Sequence, residues 1–344
     1  MTALPNRAFR LRHRPEDPAG RAPLELVEED LAPLADGQAL VRTLVLSVDP
    51  VSRVFMSDIR SDLPPVGIGE VMRGVGIGRV VDSRRADLPV GAHVLGWTGW
   101  QDYQVADDAV LEGPFAVLPD PLPAAPEDLL GVLGMTGITA WLAVEIADPR
   151  PGDTVVVSAA GGAVGSIAGQ LVKERGARVV GIAGGREKCR YVVEELGFDA
   201  CVDRRSPDWR DQFDAATPDG VDADVENAGG EVLDHLLTRI NTGARIALCG
   251  MIADYSADAA QRHGLRNMVE VLEQRATIRG FLVSDHADRY DGITAELAAR
   301  LADGRLTHAQ VVVDGLERAP EALERIFRGD NRGKVVVRVA PDSR

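Results

Sequence analysis

Short apolar runs separated by glycine and proline fill the first part of the chain. Runs of about four to eight apolar residues bounded by turn-forming residues are typical of β-strands. The pattern predicts a compact β-rich domain with strands at Ala39–Val48, Arg73–Val81, His93–Gly96 and Tyr103–Ala106. Five prolines then crowd between Pro114 and Pro126. Because proline breaks regular structure, this segment is predicted to cross from one domain to the next.

After Pro126, longer helical patterns alternate with short apolar runs. The runs predict strands at Val155–Ser158, Arg178–Ala183, Asp222–Glu226 and Ala244–Cys249. Apolar residues at helical spacing predict a helix before Gly176, built on Val164, Ile167, Ala168, Leu171 and Val172. A second helix is predicted from Arg186 to Leu196, ending at Gly197. Strands and helices that alternate in this way predict an α/β fold with a doubly wound parallel sheet of the Rossmann type.

The tail of the chain returns to β character from about Thr307. Two apolar runs, Gln310–Val313 and Lys334–Val339, predict strands on either side of a helix at Ala319–Phe327. The sequence contains no internal repeat.

Length and composition limit the class of protein. A chain of 344 residues is expected to form about two domains. Hydrophobic residues at 45% and charged residues at 26% are typical of a soluble globular protein. No apolar stretch approaches the length of a membrane-spanning helix, and the start, Met1 to Arg14, lacks the apolar core of a signal peptide. We therefore expect a cytoplasmic protein.

The net charge and the cysteine content exclude further classes of protein. The net charge of −15 repels nucleic acid and anionic lipid, and no long basic run opposes it, so neither is expected as a partner. The cysteines Cys189, Cys201 and Cys249 are odd in number and widely spaced. They fit a reducing compartment and provide neither a disulfide framework nor a four-cysteine zinc lobe.

A glycine-rich segment, Ser158–Gly165, lies between a predicted strand and a predicted helix. In this context, the pyrophosphate of a dinucleotide can rest on free N–H groups at the helix start. Gly162 lets the backbone approach the phosphates, and Gly165 lets the helix pack close to the strand. The first position of the usual three-glycine pattern is Ala160, which the local turn must tolerate. The alternative is a tight turn with no ligand.

The residues after the next strand distinguish NAD from NADP. An NAD enzyme places an acidic residue there to hold the ribose hydroxyls. This chain instead has two glycines followed by Arg186, Glu187 and Lys188. The glycines leave room for a 2′-phosphate and the two cations can bind it, so the sequence predicts NADPH. Two alternatives stay open, a merely solvated helix start and a ribose bound by Glu187.

The sequence does not contain the residues that several other enzyme chemistries require. No cysteine precedes Cys189, and the histidines are scattered, so the three ligands of a catalytic zinc are not expected. The sequence contains neither the Gly-x-Ser-x-Gly of a nucleophile elbow nor the Gly-x4-Gly-Lys-Ser/Thr of a phosphate-binding loop. Hydride transfer without a metal remains as the expected chemistry.

Several segments resemble, in this order, the medium-chain dehydrogenase/reductase superfamily. They are Leu46–Pro50 with Arg53, Met56–Asp58, Gly134–Ala140, the Ala159–Gly165 loop, Glu187-Lys188, Leu196–Asp199, Glu226–Gly230, Cys249–Tyr255, Gly280-Phe281 and Gly329–Lys334. Within the superfamily, the chain is similar to the zinc-independent, NADPH-dependent alkenal/one oxidoreductases. That group includes prostaglandin and leukotriene reductases, plant double-bond reductases and curcumin reductase.

The resemblance implies a GroES-like catalytic domain that both chain ends form around an inserted nucleotide-binding domain. The expected domains are 1–122 with 303–344, and 123–302. The family is usually dimeric, so a homodimer is expected.

The resemblance also assigns residues to the cofactor. It implies that the pyrophosphate lies on Gly162, Ala163, Val164 and Gly165, and that Lys188 contacts the 2′-phosphate. It further implies that the ribose and nicotinamide are lined by Asn227, the Cys249–Tyr255 loop with Cys249 and Gly250, Phe281, Leu282, Val283 and Asn331. Without the resemblance, Asn227 and Asn331 are ordinary turn residues beside glycines.

Two departures from the family pattern stand out. Val51 and Ser52 replace residues that commonly include an aromatic bordering the substrate pocket. Arg204 stands near a position where relatives tend to carry a tyrosine, and its charge can support the 2′-phosphate.

The expected reaction is reduction of an α,β-unsaturated ketone or aldehyde. Hydride reaches the β-carbon, and the enolate oxygen that develops needs a hydrogen-bond donor before the α-carbon is protonated. Tyr255 is the candidate donor, and the alternative is a loop tyrosine that only packs. Quinone reduction and NADP binding without turnover are the competing functions.

Overall fold

The computed structural model of the chain describes residues 4–15, 22–59, 61–107, 115–255 and 262–342. Its strands are β1 Leu4–Leu11, β2 Leu24–Leu31, β3 Ala39–Val48, β4 Val75–Ser83, β5 His93–Trp97, β6 Tyr103–Ala106, β7 Ala116–Val117, β8 Thr154–Ser158, β9 Arg178–Ala183, β10 Ala200–Asp203, β11 Val221–Glu226, β12 Ile240–Leu248, β13 Thr277–Gly280, β14 Gln310–Asp314 and β15 Lys334–Arg338. Its α-helices are α1 Ser52–Phe55, α2 Pro126–Leu130, α3 Met135–Ala147, α4 Ala163–Glu174, α5 Arg186–Glu194, α6 Trp209–Ala216, α7 Gly230–Leu237, α8 Met268–Glu273, α9 Tyr290–Ala302 and α10 Ala319–Arg328. Short 3₁₀ helices span Val283–Arg289 and Leu316–Arg318.

The chain divides into two compact units. The first comprises Met1–Leu130, Val311–Asp330 and Val335–Arg344, and the second comprises Gly131–Gln310 and Asn331–Lys334. The predicted domain boundaries, 122/123 and 302/303, stay a prediction.

The first unit is built on antiparallel strands. Its larger sheet has the order β14-β15-β3-β4-β5-β7, with β6 also paired to β3, and β1 and β2 form a separate ribbon. An apolar core containing Phe9, Leu46 and Trp100 lies against helix α10. The expected β-rich domain is therefore confirmed.

The second unit contains a six-stranded, fully parallel sheet in the order β10-β9-β8-β11-β12-β13. Both faces are buried, because Val155 and Val157 of β8 belong to one apolar core and Val156 to another. The strand order reverses between β8 and β11. In doubly wound sheets, ligands bind beyond the carboxyl ends of the strands at this reversal. The predicted fold class is confirmed.

The sequence pattern did not predict several of the strands. The strands β10 and β13 have four residues each, and β1 and β2 interleave charged residues with apolar ones, so none forms a clear apolar run. The strand predicted from Arg73 begins instead at Val75. The Arg73 guanidinium stacks over Phe55, 5.0 Å from its ring centroid, and donates to the Pro64 carbonyl, which holds Arg73 before the strand.

The proline-rich segment is only partly described, since Pro114 lies outside the described residues. Pro126, the last of the five prolines, begins α2, where the missing N–H has no helical acceptor to lose. Across the described residues, no helix is both long enough and apolar enough to span a membrane.

Candidate functional site

The predicted site residues follow the carboxyl ends of the six parallel strands. After β8 come Gly162, Ala163, Val164 and Gly165; after β9, Arg186 and Lys188; after β10, Arg204; after β11, Asn227; after β12, Cys249, Gly250 and Tyr255; and after β13, Phe281, Leu282 and Val283. Because the strands are parallel, these residues share one edge of the sheet.

The loop after β8 allows a close approach to its backbone. Ala159 adopts a left-handed conformation with φ of +49°, and its carbonyl accepts a hydrogen bond from Gly162 N–H at 2.8 Å. A Cβ at Gly162 would lie 3.0 Å from the Ala159 carbonyl oxygen, and a Cβ at Gly165 only 2.6 Å from it. Glycine at 165 is therefore needed for α4 to leave the strand at this angle.

Ala160 occupies the position where the usual pattern has glycine. Its N–H donates to the Ile182 carbonyl at 3.0 Å, and its side chain is fully buried against β9. A Cβ at Gly181 of β9 would lie 2.9 Å from the Ala160 Cβ. The missing glycine in the loop is thus matched by a glycine in the neighbouring strand.

Helix α4 begins with unpaired backbone donors at this loop. Gly162 is extended and provides no side-chain cap, and the first helical bond runs from Ser166 N–H to the Gly162 carbonyl. The N–H groups of Ala163, Val164 and Gly165 therefore lack a helical acceptor. Such a helix start favours an anion.

The tail of the chain returns to the same loop. Gly333 N–H donates to the Gly161 carbonyl at 2.9 Å, and the buried Asn331 amide donates to the Gly333 carbonyl at 2.8 Å. A Cβ at Gly333 would overlap the Ala309 carbonyl at 1.8 Å. These contacts bring Asn331 close to the glycine-rich loop.

Cationic side chains surround the glycines that follow β9. A Cβ at Gly184 would lie 3.1 Å from Arg205 Nε and 3.8 Å from Arg204 Nε. The Lys188 stem packs over Gly161, where a Cβ would lie 2.6 Å from Lys188 Cγ. We refer to Lys188, Arg204 and Arg205 as the positive cluster, with the two arginines beside Gly184 and Lys188 over Gly161.

An acidic side chain fixes the shape of this cluster. Asp203 at the end of β10 accepts hydrogen bonds from the N–H groups of Gly185 and Arg205, at 2.7 and 3.0 Å. Arg186 is exposed, and its charge acts on Asp208, whose pKa is lowered first by a Ser206 hydrogen bond and also by the Arg186 charge. Arg205 was missed by the sequence analysis, although it directly follows Arg204.

A buried hydrogen-bond network joins the ends of β8 and β11. Ser158 Oγ donates to Glu226 Oε1 at 2.6 Å and accepts from the N–H groups of Asn227 and Ala228, at 2.7 and 3.0 Å. Glu226 Oε1 also accepts from the N–H groups of Ala228 and Gly229. These bonds fix the turn that carries Asn227. Ser158 and Glu226 are functional candidates that the sequence analysis missed.

The side chain of Asn227 connects three strands. Its amide donates to the Ser158 carbonyl at 2.9 Å, and its Oδ1 accepts from the Cys249 thiol at 3.1 Å. Cys249 and Gly250 N–H groups both donate to the Glu226 carbonyl. Burial, reinforced by the nearby carboxyl groups of Glu226 and Asp224, raises the pKa of the Cys249 thiol well above its usual range.

Tyr255 lies at the end of the loop that follows β12. Its phenol oxygen is 3.5 Å from a Cβ placed on Gly250. Burial raises the pKa of Tyr255. The phenol therefore stays protonated at neutral pH.

Comparisons with known proteins identify the family of the chain. Residues 7–113 match a family described as "N-terminal domain of oxidoreductase", and residues 163–300 match "Zinc-binding dehydrogenase". The chain is 41% identical over 344 residues to the NADPH-dependent curcumin reductase of Escherichia coli (strain K12), covering 98% of each. It is 34% identical to the NADP(+)-dependent 2-alkenal reductase of Nicotiana tabacum, covering 90% of this chain and 89% of the relative. The crystal structure of CurA in complex with NADPH from Vibrio vulnificus is similar, with a TM-score of 0.91 and 40% identity, covering 97% of this chain and 99% of that one.

The chain belongs to the zinc-independent alkenal/one oxidoreductases of the medium-chain dehydrogenase/reductase superfamily.

One matched description names zinc, and the donor set of this alkenal/one oxidoreductase does not fit a zinc site. Catalytic zinc takes three Cys, His or acidic ligands. Within the residues that the structure describes, no three such side chains come together. We therefore derive no step through a metal.

The residues that follow β13 lie at the same edge of the sheet as the rest of the candidate site. Phe281 and Val283 pack against the core of the second unit, whereas Leu282 is exposed. The Tyr290 hydroxyl donates to the Val283 carbonyl at 3.0 Å and fixes this turn.

Proposed function

We infer that the chain is an NADPH-dependent reductase that reduces the carbon–carbon double bond of α,β-unsaturated ketones or aldehydes. The observation that carries the inference is the positive charge at this edge of the sheet, with Arg204 and Arg205 beside Gly184 and Lys188 over Gly161. A 2′-phosphate is the group that distinguishes NADP from NAD at this position. The printed names of the E. coli and Nicotiana relatives support the same cofactor and, for the second, an alkenal substrate.

The residues present fit the cofactor along the whole sheet edge. The pyrophosphate would lie on the N–H groups of Gly162–Gly165, where a longer side chain would fill the space. Lys188, Arg186 and Arg204 would hold the 2′-phosphate. The ribose and nicotinamide would lie along Asn227, Cys249, Gly250, Phe281, Leu282, Val283 and Asn331. When bound, NADPH supplies a hydride for the β-carbon of the substrate.

The reaction also needs a hydrogen-bond donor and a proton, and we assign both to Tyr255. Addition at the β-carbon places negative charge on the carbonyl oxygen of the substrate, so a donor is required there. The Tyr255 hydroxyl carries a proton at neutral pH because burial raises the pKa of the phenol. We propose that this hydroxyl donates to the enolate oxygen and is the source, directly or through water, of the proton that reaches the α-carbon.

The experiment that tests the function is a substrate panel. Purified protein is given NADPH or NADH with enones, enals and quinones, and the oxidation of the nicotinamide is followed together with the products. A saturated ketone or aldehyde formed with NADPH supports the proposal. A hydroquinone as the main product indicates a quinone reductase, and tight NADPH binding with no oxidation across the panel indicates a binding protein without turnover.

Replacing Lys188 by methionine tests the cofactor contact. Methionine retains an aliphatic stem over Gly161 and removes the charge, so the KM for NADPH should rise by about 10- to 100-fold, the loss of one charge-assisted hydrogen bond. The KM for NADH should change little. Lys173→Met, in the last turn of α4 where the lysine pairs with Asp199, is the matched control. Equal effects on both nucleotides would refute the assignment of Lys188 to the 2′-phosphate.

We also propose that the enzyme is a cytoplasmic homodimer acting on a small molecule. The exposed edge strand β13 and the exposed apolar side chains Met268, Val269 and Leu272 of α8 support self-association. Light scattering of the purified chain gives the mass in solution, and a monomer would exclude the dimer.

A further inference from the structure

Two of the three cysteines, Cys189 and Cys201, are neighbours in the second unit. Cys189 belongs to α5, and Cys201 belongs to β10. Cys201 packs against the core that holds Val192, one helical turn after Cys189, so both thiols lie where α5 packs on β10, and each shifts the pKa of the other. Both side chains are half-buried and neither is in a disulfide.

The alternation of side chains along β10 explains why the two thiols meet. Successive residues of a strand point to opposite faces of the sheet. Val202 belongs to the core on one face, whereas Cys201 packs against the core on the other, which also holds Val192 of α5. Cys201 pairs with Gly181 of β9, which has no side chain to separate Cys201 from the helix.

Both cysteines are close in the sequence to residues of the positive cluster. Lys188 precedes Cys189 in α5, and Arg204 follows β10 two residues after Val202. Asp203 connects the two segments through its hydrogen bond from Gly185 N–H at 2.7 Å. Any change in the separation of the two sulfur atoms therefore acts on the backbone that carries Lys188.

We propose that Cys189 and Cys201 form a reversible disulfide in response to peroxide, and that the disulfide weakens binding of the 2′-phosphate. The Cys189 sulfur attacks one oxygen of hydrogen peroxide and the O–O bond breaks, which leaves a sulfenic acid and one water. The Cys201 sulfur then attacks the sulfenic sulfur, and the S–O bond breaks. The hydroxide leaves as a second water with the Cys201 proton. The two sulfurs lose two electrons, and the peroxide gains them.

The surroundings assign the two roles. The interaction with Cys201 lowers the pKa of the Cys189 thiol, and the Lys188 charge adds to this effect. Thiolate character and a nearby cation are what make a cysteine react with oxidants. The pKa of Cys201 is raised by the interaction with Cys189 and by burial, so Cys201 keeps its proton until the second step.

Disulfide formation shortens the contact between the sulfurs to about 2.05 Å. This contraction pulls the first turn of α5 toward β10 and displaces Lys188 from its position over Gly161. The predicted effect on cofactor binding rests on the proposed NADPH function, whereas formation of the disulfide does not.

The test treats the full-length protein with hydrogen peroxide, blocks remaining thiols and maps the peptides by mass spectrometry without reduction. A Cys189–Cys201 cross-link is expected, with Cys249 recovered as a blocked thiol. The KM for NADPH should rise about tenfold and return after treatment with dithiothreitol, while the KM for NADH changes little. Cys201→Ser should leave the KM of the reduced enzyme unchanged and abolish its sensitivity to peroxide.

Three outcomes would overturn the proposal. They are cross-links between chains instead of within one chain, over-oxidation of Cys189 with no disulfide, and a Cys189–Cys201 disulfide that leaves the KM for NADPH unchanged. If the chain oxidises no NADPH with any substrate, the proposed function fails. The peptide map still reports on the disulfide, and equilibrium binding of NADPH replaces KM.

Discussion

Replacing Tyr255 by phenylalanine is expected to lower kcat for enone reduction by about 10²- to 10³-fold, the cost of removing one donor to an oxyanion. The ring is retained, so packing in the loop after β12 is preserved. The KM for NADPH should stay within about twofold, because the phenol is proposed to act on the substrate oxygen. Steady-state kinetics with a simple enone measures both constants.

A matched control separates the donor role from a packing role. Tyr191 of α5 is also buried, and among the described residues its hydroxyl has no hydrogen-bond partner. Tyr191→Phe therefore removes a hydroxyl without removing a hydrogen bond, and kcat should be unchanged. A Tyr255→Phe enzyme with wild-type kcat would assign Tyr255 to packing alone.

The pH dependence gives a second readout for Tyr255. Burial raises its pKa, so the phenol keeps its proton beyond the usual tyrosine value of about 10. In the wild type, ionisation of Tyr255 should not lower kcat between pH 7 and about 10. A fall in kcat that begins below about pH 9 in the wild type and is absent from Tyr255→Phe would contradict the raised pKa of Tyr255.

The parallel sheet could be predicted from the sequence because its central strands are continuous apolar runs. Val155–Val157 are buried on both faces, which leaves no polar position to obscure the pattern. The strand β10, with the sequence Ala-Cys-Val-Asp, carries no such run. Without that strand, the sequence offers no reason to place Arg205 beside Gly184.

The local parts of the site could likewise be found from the sequence, and the long-range parts could not. The glycine-rich loop and Lys188 stand at fixed distances from a predicted strand. The Ser158–Glu226 bond joins residues 68 positions apart, and a carboxylate in a strand is ordinarily expected to face solvent. The contact between Cys189 and Cys201 depends on the packing of α5 against β10, which their spacing does not reveal.

The carboxyl groups of Asp224 and Glu226 form a buried pair under the site. They lie two residues apart on β11, so they share one face of the strand, and both are fully buried. Glu226 Oε1 takes hydrogen bonds from Ser158, Ala228 and Gly229. Among the described residues, neither side-chain oxygen of Asp224 has a hydrogen-bond partner. Burial first, and then the charge of Glu226, raises the pKa of Asp224 well above its usual range, so Asp224 keeps a proton at pH values where an exposed carboxyl group has lost it.

This pair makes stability depend on pH with a definite sign. The folded chain keeps a proton on Asp224 that the unfolded chain releases above its ordinary pKa of about 3.9. Because the native state then binds more protons than the unfolded state, the free energy of unfolding falls as pH rises, by about 1.4 kcal/mol per pH unit. The contribution is fully present below about pH 4 and is progressively lost up to the folded pKa of Asp224.

Replacing Asp224 by asparagine is expected to remove this slope. Asparagine has nearly the same size and shape as a protonated aspartic acid, and its amide does not titrate. As the pH rises above about 4, the free energy of unfolding of the wild type should fall through this group, whereas Asp224→Asn should lose none of it. The variant should therefore be the more stable protein at pH 8, and urea unfolding at several pH values measures the difference. Asp211→Asn, on the exposed face of α6, is the control and should change stability by less than about 0.5 kcal/mol. Parallel curves for wild type and Asp224→Asn would show that Asp224 holds no extra proton in the folded chain.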